Sequence, residues 1–210
     1  MNSLKSMVNE LAGLKDFDKQ VEILKGIMTE LLRNYEIKVT DDLIIYPVTV
    51  EAYYYHEDHF RDESVHKDKL QKNNFGGLYF HKNEDGEYRD FVFKPDKRVL
   101  TGMDVCLSDG DFHFGVLIKE AFINNNGKVT QERVKQTHIV GHIVGRYEDI
   151  NETSMTPENK SKLSGLEEKK AESLFTTGKK REGDPKFDKR KGLSKGYIEA
   201  PLQASLEYRL

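Results

Sequence analysis

The stretch Leu43-Ile44-Ile45-Tyr46-Pro47-Val48-Thr49-Val50-Glu51-Ala52-Tyr53 constrains the fold more than any other part of the chain. β-Branched residues pack well on a pleated surface and poorly in a helix, so its first half is expected to form a buried strand, with Pro47 at a bulge or an edge. A carboxylate, Glu51, stands at the end of the apolar run, and Tyr53, Tyr54 and Tyr55 follow almost at once. Partial desolvation beside aromatic surface suits an acid to proton work, which makes Glu51 a candidate catalytic residue. The plainer alternative is a strand-end acid held by a backbone amide or a lysine.

A chain of 210 residues can bury one core without metal or disulfide support, so a single domain over 1–210 is expected. Cys106 is the only cysteine, which excludes an intramolecular disulfide, a CxxC redox pair and a Cys-rich zinc cluster. It reads as a small buried hydrophobe in a protein of a reducing compartment. No apolar run approaches the roughly 18 to 20 residues that span a bilayer, and the amino terminus reads as an amphipathic helix and not as a signal peptide. The expectation is a cytoplasmic monomer, nucleoid-associated if prokaryotic, with no membrane partner.

The net charge of -3 argues against a general nucleic-acid coat protein, which would carry a basic excess. The charge is uneven, however. In the loop 179–196, eight basic residues, among them Lys189, Arg190 and Lys191, face only three acidic ones. That excess could hold a phosphate backbone, although such runs are more often solvated loops.

Apolar stripes at Leu4, Met7, Val8, Leu11 and Leu14, and again at Phe17, Val21, Leu24, Met28 and Leu31, predict two amphipathic helices within residues 1–35, with Asp16 capping the second. Leu78-Tyr79-Phe80-His81, the turn Asn83-Glu84-Asp85-Gly86 and the apolar positions Tyr88, Phe91, Val92 and Phe93 predict a hairpin. Val99-Leu100 lead on to an alternating strand over Met103–Leu107. A second alternating strand, from Phe112 to Ile118, should pair with it, with Gly115 marking a close approach. Residues 129–146 fit either a helix or strand ends. A further helix is predicted from Pro157 to Thr177, with Thr156 as its cap, Ala171 inside and Gly178 past its end, and a last strand over Leu202–Tyr208.

The polar stretch 54–74 contains His56, His59 and His66 among carboxylates. Metal binding is one reading, but His56-Glu57-Asp58-His59 lacks the spacing of a zinc-protease helix, and a histidine pair three apart with acids between is more often a solvated loop.

Several fragments occur in a telling order: Val50-Glu51-Ala52-Tyr53, Glu57-Asp58, Ser64-Val65-His66, Gly77-Leu78-Tyr79-Phe80, Gly102-Met103-Asp104-Val105-Cys106-Leu107 and Val116-Leu117-Ile118-Lys119. In this order they resemble the alkyladenine (3-methyladenine, methylpurine) DNA glycosylase family. Gly192-Leu193 and Pro201-Leu202 resemble that family's carboxyl-terminal flank. The resemblance implies base-excision DNA repair, in which Glu51 activates a water that attacks the sugar carbon as a flipped, alkylated or deaminated purine departs. It implies stacking on the base by Tyr53 and His66 on one side and by Tyr79 and His81 on the other. Met103 and Ser108 would complete the substrate pocket, and Lys119 would stand near the water. Lys189, Arg190 and Lys191 would contact the DNA backbone, and neither a metal nor another cofactor is implied.

The chain departs from that family at informative positions. Thr101 stands where an aromatic wedge would enter the duplex, Ser108 replaces an asparagine, Lys119 an arginine and His81 a tyrosine. An insertion at 83–96 brings Tyr88 and Phe91 as alternative wedges, and single-stranded DNA becomes a possible substrate.

Pattern and resemblance together give an α+β fold, one domain with a curved, mainly antiparallel β-sheet flanked by helices. Three functions fit the sequence: a glycosylase without lyase activity, a nucleic-acid-binding relative that has lost chemistry, and a metal-dependent hydrolase built on His56, His59 and His66. Abasic product, salt-dependent binding without turnover, and stoichiometric metal respectively would distinguish them.

Overall fold

The computed structural model describes residues 2–91, 101–145, 155–169, 174–191 and 198–208. The chain begins with helices α1 (Asn2–Gly13) and α2 (Phe17–Asn34). Asp16 caps α2 by accepting the Lys19 amide, and the α2 stripe Val21, Leu24, Ile27, Met28 and Leu31 is buried. Leu4, Val8 and Leu11 of α1 are buried too, so the two stripes meet the core except at their edges: Phe17 is exposed and Leu14 lies past the end of α1.

The strands follow as β1 (Tyr35–Lys38), β2 (Leu43–His56), β3 (Phe60–Arg61), β4 (Leu78–Phe80), β5 (Met103–Cys106), β6 (His113–Asn125), β7 (Lys128–Val129) and β8 (Val134–Lys135). After helices α3 (Gln136–Val144) and α4 (Pro157–Glu167) come β9 (Phe175–Thr177), β10 (Lys186–Asp188) and β11 (Gln203–Ser205). They form one curled antiparallel sheet whose main path runs β10-β11-β2-β6-β5-β4. The α+β class and the curved antiparallel sheet therefore stand.

β2 is the central rail of this sheet. Against β6 it keeps register from Leu43↔Asn125 to Tyr55↔His113, broken only by a bulge around Thr49. Pro47 lies at this irregularity, as its missing amide requires, and its carbonyl accepts the Tyr208 hydroxyl. Past the bulge the period of two is clean. Val50, Ala52 and Tyr54 of β2, Phe114, Val116 and Ile118 of β6, and Met103 and Val105 of β5 enter one core with α1 and α2. Glu51 and Tyr53, with Leu117, Asp104 and Tyr79, are left on the opposite face.

Gly115 shows why a glycine sits in β6. A Cβ there would lie 2.6 Å from the Gln71 amide nitrogen and 2.7 Å from an Asp104 oxygen, so the bare backbone lets Gln71 lie on the sheet. The turn Asn126-Gly127 closes β6 onto β7 with both residues at positive φ.

Three expectations need correction. The helix at Pro157 is capped by Thr156 and carries proline in its first turn, but it ends at Glu167, and residues 175–177 form β9 instead. β9 pairs with β1, and Phe175 stacks on Tyr35 at 4.6 Å, a tertiary pairing that overrides the local helical stripe. β4 itself pairs with β5; past it the predicted turn brings residues 87–89 back beside 81–83, through the bridge Lys82↔Tyr88 and the bonds from the Arg89 amide to the His81 carbonyl and from the Asn83 amide to the Glu87 carbonyl. The basic loop is not wholly solvated, because it contributes β10 and turns Arg181 and Arg190 inward. The ambiguous stretch resolves into β8 and α3. The expectations at Val92, Phe93, Val99, Leu100, Ala171, Gly192, Leu193 and Lys195 lie outside the described residues.

Among the described residues no helix is long and apolar enough to cross a membrane.

Candidate active site

Glu51 is 2% exposed, although it is a carboxylate on the face of the sheet away from the main core. Such burial is costly without partners. Two are present: the Tyr53 hydroxyl donates to Oε2 at 2.8 Å, and the Lys119 ammonium lies 3.6 Å from Oε1. Tyr53 lies two residues along the same strand and so faces the same way. Burial, followed by the Glu51 charge and its hydrogen bond, pushes the Tyr53 phenol well above its ordinary range, so it stays protonated as a donor.

One face of the Tyr53 ring is covered by the Arg190 guanidinium, centred 4.6 Å away. The Arg190 side chain is fully buried and forms an ion pair with equally buried Asp62 at 2.6 Å. This corrects the expectation for Lys189, Arg190 and Lys191 as a trio on DNA. The two lysines are exposed, beside Glu199 and Asp188, whereas Arg190 points into the protein and offers no charge to a phosphate.

A hollow of about 430 Å³ lies against the same region, lined by Thr49, Lys119, Glu120, Lys135, Gln136, Thr137, Gln203 and Ser205. Gln203 is the β11 partner of Glu51. Glu51 does not itself line the hollow; Lys119, one-third exposed, stands between the two. Thr49 donates to Glu120, and Arg133 lies 3.7 Å from the same carboxylate.

Of the four rings assigned to base stacking, Tyr53 belongs with Glu51 under Arg190 and the other three form a second group. His66 lies 4.6 Å from His81 and 5.5 Å from Tyr79, centre to centre. His81 donates from Nε2 to Asp104 at 2.9 Å, and Gln71 donates to the other Asp104 oxygen at 2.8 Å. Burial, with the neighbouring His81 second, lowers the His66 pKa to about 4, so its imidazole is neutral at ordinary pH. The register Glu51↔Leu117↔Asp104↔Tyr79 places both groups on one row of the sheet. With strands about 4.8 Å apart, the backbone of Glu51 is roughly 10 Å from that of Asp104. Burial lowers the Arg89 pKa, and nearby Tyr79 and Asp104 act against that shift.

Other assignments are structural. Met103 is in the core, and buried Ser108 donates to the Phe112 carbonyl at 2.5 Å, holding its own turn. Thr101 is fully buried; of the alternative wedges, Tyr88 donates to Glu167 and Phe91 packs in the core. None of the three projects as a wedge.

His56 and His59 stack on each other at 3.7 Å, and Gln20 donates to His59, while His66 belongs to the other ring group. The structure does not join the three, and among the described residues no group of three or more His, Cys, Asp or Glu side chains could hold a metal ion.

Sequence reasoning missed Asp62, Gln71, Arg89 and Asp104. Asp104 alone carried a signal, since it interrupts apolar Met103 and Val105 at the alternate position of a strand.

No protein-family model matches the chain, and a search of curated proteins finds no match.

Proposed function

We propose that the protein is a monofunctional DNA N-glycosylase that hydrolyses the bond between a damaged purine and its sugar. The observation that supports this best is Glu51, a buried carboxylate fixed by a phenol donor and a lysine beside a hollow. In the reaction, the C1′–N9 bond breaks and the base leaves with its electron pair. A water oxygen bonds to C1′, and the proton of that water passes to Glu51. The ribosyl ring becomes positive as the base departs, and a fixed carboxylate stabilises that charge. Lys119 both faces Glu51 and lines the hollow, so its charge stands where the water would enter. Stacking on the base falls to His66, Tyr79 and His81, and because Tyr79 and His81 are buried, their rings must part to admit it.

A second reading, nucleic-acid binding without turnover, is favoured by the inward Thr101, Tyr88 and Phe91, which leave no described wedge for opening a duplex. Incubation with single- and double-stranded DNA carrying alkylated purines or hypoxanthine separates the two. Abasic sites support the glycosylase; salt-dependent binding with every base retained supports the second reading.

A further inference from the structure

We propose that Arg190 is a positioning residue that fixes Tyr53 and, through its phenol, the Glu51 carboxylate. The carboxyl-terminal segment would thereby form part of the site.

Arg190 joins the backbone beside Tyr53 to residues 62–64 and to residue 198. One terminal nitrogen donates to the Ala52 carbonyl at 3.0 Å and to the Ser64 hydroxyl at 3.3 Å. The other donates to Asp62 at 2.6 Å and to the Ile198 carbonyl at 3.3 Å. Ala52 is the residue between Glu51 and Tyr53, so the same group that covers the ring also pins the backbone joining the two. Asp62 is held in turn, because one of its oxygens accepts both the amide and the hydroxyl of Ser64.

A buried ion pair is a weak way to gain stability, and apolar residues of similar volume often do as well. What the guanidinium adds is geometry. Its planar fork donates within its plane while its face lies on an aromatic ring, and a lysine ammonium cannot do both. Within 189–191 burial is specific to this position: Lys189 and Lys191 stay exposed beside carboxylates, and Arg190 turns inward.

The consequence for turnover rests on the glycosylase reading, whereas the consequence for Tyr53 does not, so the test has two arms. Arg190→Lys keeps charge and most of the volume; a melting curve confirms that it folds. In ¹³C-tyrosine spectra the Tyr53 signal, assigned by its loss in Tyr53→Phe, is expected to shift in Arg190→Lys. In excision assays kcat is expected to fall about 10- to 100-fold, as for small misplacements of catalytic groups, with KM for DNA and its salt dependence unchanged. The double variant Arg190→Lys/Tyr53→Phe should fall no further than the worse single one. An unmoved Tyr53 signal overturns the proposal, and so does a salt-dependent rise in KM at constant kcat, which marks a phosphate contact. If the wild type releases no base while the Tyr53 signal shifts, the glycosylase reading fails and the positioning role stands.

Discussion

The hydroxyl of Tyr53 donates to Glu51 at 2.8 Å from two residues away on the same strand, so one stretch of backbone presents both the acid and its donor. Tyr53→Phe keeps the ring under Arg190 and removes only the donor. A lost hydrogen bond to a charged group is worth about 1.5 to 3 kcal/mol, so excision should slow roughly 10- to 150-fold. Single-turnover rates check this. A rate within about twofold of wild type would show that the phenol does not support the reaction.

The Asp62–Arg190 pair should dominate the stability of the carboxyl-terminal segment. Removing one partner of a buried pair leaves an uncompensated charge, so Asp62→Ala should cost about 3 to 5 kcal/mol in urea unfolding. Substituting Asp188, whose partner Lys191 is exposed, should cost under about 1 kcal/mol. Equal losses for the two would contradict the burial assigned to Arg190.

His66 should make stability depend on pH. Its folded pKa of about 4 lies below the ordinary 6.5. As pH falls, the unfolded chain takes up a proton near 6.5 while the folded chain resists until about 4. The contribution is complete above about pH 6.5 and is lost between there and about 4, a total of about 3 kcal/mol. His66→Phe should remove that part of the slope, as urea midpoints at about pH 7 and about pH 4.5 would report. An identical slope in the variant would place His66 in solvent.

Gly115→Ala should destabilise by about 1 to 3 kcal/mol, because the added methyl meets Gln71 and Asp104 at less than 3.0 Å. Pairing it with Gln71→Ala should recover part of that loss by removing the side chain it strikes. No recovery would show that the clash lies elsewhere.

The elements that could be read from sequence were those whose local pattern and tertiary packing agree. The two helical stripes, the Asp16 and Thr156 caps, the bulge at Pro47 and the alternation in β5 and β6 all declare which side faces the core. Residues 175–177 misled because their partner, β1, is about 140 residues away, and a helical stripe carries no trace of it. The same limit applies to the site. Glu51 and Tyr53 are legible as alternate residues on one strand, but Arg190 looks like its neighbours Lys189 and Lys191 until Asp62, 128 positions away, turns it inward. Spacing also cannot separate His66 from His56 and His59; only the fold assigns it to Tyr79 and His81.

Glu51→Gln keeps the shape of the buried carboxylate while removing its capacity to accept a proton. The direct measurement is the single-turnover rate of abasic-site formation by wild type and by this variant, on DNA carrying alkylated purines or hypoxanthine. Base release by the wild type is expected, with a loss of about 100-fold or more in the variant and unchanged melting and DNA binding. Equal rates in the two proteins, or no base released by the wild type from any lesion, would contradict the role proposed for Glu51.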